Sequence, residues 1–121
     1  MKLLLVEDNL SVRNIIKRVV RKFSNEILEC ADGQEAFNIY QTEQPDFVLM
    51  DINLGQNNGI EITRRIVRKF PNAKVIIVTN YDENDLRQAA KDAGAIGYIV
   101  KNNLMELNSF LIAAQNFADT K

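Results

Sequence analysis

The sequence has no histidine at all and only one cysteine, Cys30, among its 121 residues. The lack of histidine excludes histidine nucleophiles, histidine general bases and histidine metal ligands. A single thiol cannot form an internal disulfide, which favours a reducing compartment, and it is too little for a cysteine metal site. Any metal must therefore be held by oxygen ligands, which favours a hard cation such as Mg²⁺ or Ca²⁺.

The sequence also lacks an excess of charge of one sign and any long apolar run. Its formal net charge is −1, which predicts no general attraction to nucleic acid or to an anionic membrane. The apolar run at residues 3–6 is too short for a secretory signal, and no run approaches the roughly 20 residues that span a bilayer. Hydrophobic residues make up 46% of the chain, enough for a core. We therefore expect a cytoplasmic protein with one domain over residues 1–121.

Short apolar runs alternate with longer segments of helical periodicity along the chain. Residues 3–6, 26–30, 47–50, 74–79 and 96–100 are predicted to be strands. The run at residues 3–6 is continuously apolar, as expected of a strand buried on both faces, whereas residues 26–30 have only Ile27 and Leu28 as an apolar centre. After each run, apolar residues recur at spacings of three and four, which is typical of one face of a helix. Five strand–helix units in strict alternation predict an α/β fold, a single doubly wound five-stranded parallel sheet with five helices.

Short local signals predict how some of these elements begin and end. Asp8 or Asn9 can cap the first helix, because a short side-chain oxygen accepts hydrogen bonds from unpaired backbone N–H groups. The Gly- and Asn-rich residues 55–59 predict a loop before the third helix. Gly94 predicts the end of the fourth helix, since glycine is common just after the last helical residue.

Polar residues follow the apolar runs at the carboxyl ends of four predicted strands. In open parallel sheets the ligand site lies beyond these ends. The residues there are Glu7, Asp8, Asp51, Asn53, Thr79, Asn80 and Lys101. Three neighbouring carboxylates repel one another and raise the pKa of at least one of them unless a cation lies close by. Few oxygen ligands with room for water suit Mg²⁺ better than Ca²⁺.

Asp51 is the best candidate for a covalent phosphoryl acceptor. A divalent cation, the hydroxyl of Thr79 and the ammonium of Lys101 can together hold the three oxygens of a phosphoryl group. Positioning and charge neutralisation of this kind provide most of the catalysis in phosphoryl transfer. With histidine absent, the natural acceptor is a carboxylate, and Asp51 is central among the strand ends.

Five motifs, in this order and at this spacing, resemble the receiver domains of bacterial response regulators in two-component signal transduction. They are Val6-Glu7-Asp8-Asn9, Leu49-Met50-Asp51, the following Gly59, Val78-Thr79, and Gly97-Tyr98-Ile99-Val100-Lys101. The resemblance extends from about residue 2 to about residue 118. It implies a flavodoxin-like fold of the receiver type and a signalling switch controlled by phosphorylation rather than an enzyme that acts on an external substrate.

The resemblance also implies a role for each matching residue around a Mg²⁺ ion. Asp51 corresponds to the phosphoacceptor and is also a metal ligand. Asp8 corresponds to the residue that binds Mg²⁺ directly, and Glu7 to the one that acts through water. Asn53 matches the position whose backbone carbonyl completes the metal shell.

The resemblance further implies which residues contact the phosphoryl group and which residues move when it is attached. Thr79 and Lys101 match the residues that contact the phosphoryl group, and Thr79 and Tyr98 match the pair that moves when the family switches. The phosphoryl group would come from a histidine kinase or a phosphotransfer protein. Phe110 and Ile112 add apolar surface to the last helix, which is compatible with a homodimer formed on phosphorylation.

Three features depart from the family pattern. Leu54-Gly55 replace the Met-Pro pair that often follows the phosphoacceptor, which leaves a more flexible loop.

The other two departures directly follow Lys101 and Thr79. Asn102 follows Lys101 where the family commonly has a proline, often with a cis bond, and a cis bond before any other residue costs about 3 kcal/mol. The isomer of the Lys101–Asn102 bond is therefore open. Asn80 follows Thr79 where the family usually has a small residue, and its amide can either crowd the phosphoryl group or donate a hydrogen bond to it.

Two other functions use the same residues. A Mg²⁺-dependent aspartyl-phosphate phosphatase is disfavoured because Asn53, not an acid, lies two positions after Asp51. A degenerate receiver that acts as a binding module is compatible with Asn80 and Asn102. The basic segment at residues 64–69 predicts a solvated helix face, so we expect no nucleic-acid contact through this domain. The domain can nevertheless be the N-terminal part of a longer transcription regulator.

Overall fold

A central parallel sheet organises the fold of this chain. The computed structural model describes residues 1–119. The strands of the sheet are β1 (Lys2–Val6), β2 (Glu26–Cys30), β3 (Phe47–Met50), β6 (Val75–Thr79) and β7 (Gly97–Val100). Their order across the sheet is β2-β1-β3-β6-β7, and every neighbouring pair is parallel. This confirms the predicted doubly wound five-stranded sheet.

Five helices connect and cover the strands. They are α1 (Leu10–Val20), α2 (Gly33–Glu43), α3 (Gly59–Lys69), α4 (Asn84–Asp92) and α5 (Met105–Asp119), and Lys101–Asn103 form a 3₁₀ turn before α5. Within residues 1–119, none of the helices has the length and apolar character that crossing a membrane requires.

Alternate side chains of each strand belong to two separate cores. On β1, Leu3 and Leu5 pack with α1 and α5, whereas Leu4 and Val6 pack with α2, α3 and α4. All four of these side chains are at most 1% exposed. Burying a leucine or valine fully contributes about 1.5–3 kcal/mol each, so the continuously apolar strands fix the sheet between two helical layers.

The caps of the helices agree with the local signals in the sequence. Of the two candidate caps of α1, Asn9 is the one used, because its Oδ1 accepts a hydrogen bond from the Val12 N–H at 3.0 Å. Asp8 is exposed. After α4, Gly94 has φ 104°, and its N–H donates to the Lys91 carbonyl while the Ala95 N–H donates to the Ala90 carbonyl. These two bonds form a Schellman cap, as the glycine predicts.

The segment before α3 is more ordered than the predicted loop. Asn53–Leu54 (β4) and Asn57–Asn58 (β5) form a small antiparallel hairpin, with Gly55 at φ 69° in its turn. The loop prediction for residues 55–59 is therefore wrong in part, since residues 57 and 58 pair back on residues 53 and 54 and Gly59 is already helical. Glycine allows the positive φ that this turn requires.

Candidate functional site

The carboxyl ends of the parallel strands bring several polar residues to one edge of the sheet. Val6 pairs with Met50, and Met50 pairs with Ile77, so the residues that follow them leave the sheet side by side. The Asp51 N–H donates to the Val6 carbonyl at 3.1 Å, which extends the pairing of β1 and β3 by one residue. The backbone of Asp51 is thus held by the sheet itself.

Three carboxylates meet at this edge. Glu7, Asp8 and Asp51 each present an oxygen, and these atoms all lie within 4.8 Å of one another. Glu7 and Asp51 are 1% and 6% exposed, whereas Asp8 is open to solvent. Oxygen donors in this number, with one of them on the solvent side, fit a small hard cation that keeps some of its water, such as Mg²⁺.

A single ammonium group lies against two of these carboxylates. Lys101 Nζ donates to Asp51 Oδ2 at 3.1 Å and also donates to Glu7 Oε1. The lysine side chain, at the start of the 3₁₀ turn, is only 11% exposed. One positive charge among three carboxylates leaves the site negative, which is the condition under which it attracts a cation.

The charges at this edge shift the pKa of two of its groups. Burial raises the pKa of Glu7 to about 7, and the negative charge of Asp51 adds to this, while the hydrogen bond from Lys101 opposes it. Burial by itself lowers the pKa of Lys101, but the hydrogen bond to Glu7 and the charge of Asp51 outweigh it, so the pKa is raised. Burial is thus a larger cause of the raised Glu7 pKa than repulsion from Asp51.

Three further residues that the sequence singled out lie around this edge without joining the carboxylate cluster. Thr79 ends β6, is fully buried, and its Oγ1 accepts a hydrogen bond from the Tyr81 N–H at 3.4 Å. Asn53 is exposed at the start of the hairpin, two residues after Asp51. Tyr98 is half-buried on β7, and its hydroxyl donates to the Tyr81 carbonyl at 2.7 Å.

The peptide bond between Lys101 and Asn102 answers one question that the sequence left open. No cis peptide bond occurs in residues 1–119, so this bond is trans. A trans bond is the isomer expected before any residue other than proline. The 3₁₀ turn at Lys101–Asn103 brings the lysine to the carboxylates with this isomer.

Gly59 is a residue whose structural role the sequence analysis did not identify. Its N–H donates to the Ile52 carbonyl at 2.7 Å, and a Cβ atom at this position would lie 1.8 Å from the backbone oxygen of Asp51. The start of α3 therefore packs directly against the peptide that follows Asp51. The sequence showed the glycine as part of a motif, but the reason for it depends on a contact between two segments.

Comparison with known proteins agrees with this geometry. A family model described as "Response regulator receiver domain" matches residues 3–111. The chain belongs to this receiver family. Membership places it among the phosphorylation-controlled signalling proteins of two-component systems, in which receiver domains work with histidine kinases or phosphotransfer proteins.

Relatives within the receiver family differ in how much of their length this chain covers. The sporulation initiation phosphotransferase F of Bacillus subtilis is 35% identical over 100 residues, which cover 83% of this chain and 81% of that protein. The chemotaxis protein CheY of Thermotoga maritima is 34% identical, with 83% and 84% covered. The transcriptional regulatory protein PdtaR of Mycobacterium tuberculosis is also 34% identical, but the matched region spans only 49% of its length.

Solved structures of receiver proteins show the same fold. A two-component response regulator of the LuxR family from Aurantimonas superimposes with a TM-score of 0.86 at 32% identity, covering 93% of this chain and 83% of that one. The receiver domain protein from Methanospirillum hungatei gives a TM-score of 0.87 at 23% identity, with 98% and 96% covered. The backbone is therefore that of the receiver family over almost its whole length.

Proposed function

We propose that this receiver is a phosphorylation-controlled switch that accepts a phosphoryl group on Asp51. The observation that carries the proposal is the convergence of Glu7, Asp8, Asp51 and Lys101 from three strand ends on one small region. The backbone of Asp51 is tied to β1 by its N–H, and its Oδ2 is 3.1 Å from the ammonium of Lys101. This arrangement suits an acceptor whose charge changes during the reaction.

We assign the metal site to Glu7, Asp8 and Asp51, together with the backbone carbonyl of Asn53. The close approach of the three carboxylates supports this assignment. Asp8 is the exposed ligand, which suits direct binding of a hydrated cation, and the buried Glu7 suits a role through water. When bound, Mg²⁺ supplies positive charge to the phosphoryl oxygens and so favours transfer.

The phosphoryl donor is a phosphorylated histidine of a histidine kinase or of a phosphotransfer protein. An oxygen of Asp51 attacks the phosphorus atom, the new P–O bond forms as the N–P bond breaks, and the imidazole nitrogen of the donor leaves and takes up a proton. Lys101 then neutralises an oxygen of the transferred group, and the hydroxyl of Thr79 donates to another. These 121 residues contain no histidine, so the donor histidine lies outside them.

Family membership also supports a proposal about where the switch acts and what protein it belongs to. We propose that residues 1–121 form one receiver unit that acts in the cytoplasm and does not turn over an external substrate. Since the chain spans about half of the matched transcriptional regulator, it can be the N-terminal part of a longer transcription regulator. We also propose that the protein forms a homodimer on phosphorylation and that Tyr98 responds to a movement of Thr79. The proposal includes no contact of this domain with nucleic acid or with a membrane.

Labelling with radioactive acetyl phosphate tests the acceptor directly. We expect Mg²⁺-dependent labelling of the wild type, none in Asp51→Asn, and normal labelling in the matched control Asp85→Asn, which alters an exposed carboxylate on α4. Labelling that persists in Asp51→Asn would remove this residue as acceptor. Repeated turnover of a phosphomonoester would favour the alternative function as a phosphatase. If neither acetyl phosphate nor a phosphorylated donor protein labels the wild type, the alternative function as a binding module is favoured.

A further inference from the structure

The β4–β5 hairpin closely follows Asp51 and is attached to the rest of the fold at both of its strands. Leu54 in β4 is 3% exposed and packs in the core that α2, α3 and α4 share. At the end of β5, Asn58 Oδ1 accepts a hydrogen bond from the Ile60 N–H at 2.8 Å, which links the hairpin to the start of α3. A segment that the sequence predicts to be a flexible loop is thus held by the core and by a helix.

The pairing of the hairpin leaves one backbone carbonyl of β4 free. Opposite residues in an antiparallel pair alternate between hydrogen-bonded and non-hydrogen-bonded positions. The Gly59 N–H donates to the Ile52 carbonyl at 2.7 Å, so Ile52 and Gly59 occupy a hydrogen-bonded position. The next pair, Asn53 and Asn58, is therefore not hydrogen-bonded, and the Asn53 carbonyl points away from β5. This is the carbonyl that the proposed function assigns to the cation.

A single glycine closes the hairpin. Leu54 pairs with Asn57, so the turn between them has two residues, and Gly55, the first of the two, has φ 69°. Two-residue turns that join antiparallel strands require a positive φ at this position, which glycine, asparagine and aspartate provide most readily. A Cβ atom on Gly55 would have open space around it. Only the backbone conformation therefore restricts which residue can stand there.

We propose that Gly55 is a positioning residue for the metal site, because by closing the hairpin it places the Asn53 carbonyl before a cation binds. The inference rests on the proposed function, since it concerns the Mg²⁺ site assigned there. Mg²⁺ demands near-ideal octahedral geometry, so a carbonyl on a loose loop would have to be ordered during binding, which weakens the affinity. A hairpin that is already formed avoids this ordering.

NMR titration with Mg²⁺ tests the role of the turn. We expect Gly55→Val to bind Mg²⁺ about three- to tenfold more weakly than the wild type, because a β-branched residue disfavours positive φ and lowers the fraction of molecules with the hairpin formed. Gly55→Asn, which such turns accept, should stay within about twofold of the wild-type affinity. The two variants are a matched pair, since neither side chain has a neighbour to collide with.

A second cation and a second variant separate positioning from a general loss of stability. Ca²⁺ accepts a more flexible arrangement of oxygen ligands, so Gly55→Val should weaken Ca²⁺ binding less and lower the ratio of Mg²⁺ affinity to Ca²⁺ affinity. Ser24→Ala removes the hydrogen bond from Ser24 Oγ to the Glu26 carbonyl (2.8 Å) at the opposite edge of the sheet and should leave both affinities unchanged. Equal Mg²⁺ affinities of Gly55→Val and wild type would overturn the inference, and so would an equal loss in Gly55→Asn.

Hydrogen exchange without metal provides a readout that does not depend on cation binding. The amides of Leu54 and Gly59 lie at hydrogen-bonded positions of the hairpin, so both should exchange slowly in the wild type and in Gly55→Asn. In Gly55→Val their exchange should be about three- to tenfold faster, because the same fraction of molecules has lost the hairpin. Unprotected amides in the wild type would show that the hairpin is not formed beforehand and would overturn the inference.

Failure of the proposed function gives a different result. Mg²⁺ would then shift no resonance of Glu7, Asp8 or Asp51 in the wild type, and the inference would fall together with the assigned metal site. If Mg²⁺ does shift these resonances but binds Gly55→Val and the wild type equally, the metal site stands and only the positioning role of Gly55 is wrong.

Discussion

Individual residues at the strand ends combine two demands that usually conflict. Glu7 and Asp51 are buried as deeply as core residues, yet both are acidic. Burial of an ionised carboxylate is costly unless hydrogen bonds or opposite charge compensate it. Lys101 provides this compensation through its hydrogen bonds to both carboxylates.

Gly59 leads to a prediction about stability. Gly59→Ala should destabilise the fold by about 1–3 kcal/mol, because the new methyl group would collide with the backbone oxygen of Asp51. Neither the start of α3 nor the backbone at Asp51 can move without disturbing the sheet. Urea denaturation measures the free energy of unfolding. Gly55→Asn is the control, since Gly55 has open space around it and asparagine tolerates its positive φ. Equal losses in the two variants would contradict the role of the close contact.

Cys30 leads to a prediction about alkaline pH. Burial raises the pKa of its thiol from the ordinary value of 9.0 to about 12. Between these values the unfolded chain loses the proton while the folded chain keeps it, so this contribution to stability is complete below pH 9 and declines as the pH rises toward 12. From pH 8.5 to 10.5 the wild type should lose roughly 1–2 kcal/mol more unfolding free energy than Cys30→Ala. Parallel pH dependences in urea denaturation would show that the thiol is not shielded.

At the scale of secondary-structure elements, the agreement between sequence and structure depends on how local the cause is. The predicted strand at residues 47–50 coincides with β3, because an apolar run flanked by polar residues is enough to specify a buried parallel strand. The predicted strand at residues 26–30 coincides with β2, an edge strand in which only Cys30 is buried. The hairpin at residues 53–58 could not be predicted, since it has only two residues in each strand and no alternation to recognise. Its pairing depends on the positive φ of Gly55.

The candidate site likewise has some contacts that the sequence predicts and others that it does not. The meeting of Glu7, Asp51 and Lys101 could be predicted because parallel strands end at one edge of a sheet. The contact between Arg87 and Tyr98 could not, because it depends on how α4 is placed over β7 and on the rotamer of a long side chain. The trans bond at Lys101–Asn102 likewise became clear only from the backbone.

The cap of α1 leads to a prediction at this scale. Asn9→Ala should lower the unfolding free energy by about 1 kcal/mol, because the Val12 N–H loses the side-chain oxygen that accepts its hydrogen bond. Ser11→Ala, an exposed substitution within the same helix, is the matched control and should have little effect. Thermal or urea denaturation measures the stability of the two variants. If Asn9→Ala is as stable as the wild type, water replaces the capping hydrogen bond without cost.

For the molecule as a whole, charge is distributed unevenly although its sum is close to zero. The formal net charge is −1, yet three carboxylates and one ammonium share a single edge of the sheet. Mutual repulsion there disfavours the folded state, and a divalent cation relieves it. The local arrangement of charge, more than the net charge, thus decides where this chain can attract a cation.

Metal linkage leads to a prediction for the whole fold. Mg²⁺ at about 100 times its dissociation constant should raise the unfolding free energy by about 2.7 kcal/mol, because it binds only the folded chain. Asp8→Asn should be more stable than the wild type without metal, since repulsion is reduced, and should lose most of the increase with Mg²⁺. Denaturation with and without Mg²⁺ measures both effects. The full increase in Asp8→Asn would remove Asp8 from the metal ligands.

The hydrogen bond from the Asp51 N–H to the Val6 carbonyl has a consequence for how the protein can vary. Asp51 directly follows β3 and its backbone is tied to β1 by this bond, whereas Asn80, Tyr81 and Asp82 lie in the connection between β6 and α4. If Asp51 is the phosphoacceptor, as proposed, the reactive group and the segment after Thr79, the residue proposed to respond to it, are thus supported by different parts of the fold. Substitutions in that segment can retune the strength or duration of a signal while the reactive group keeps its place, so sensitivity can be adjusted without rebuilding the chemistry.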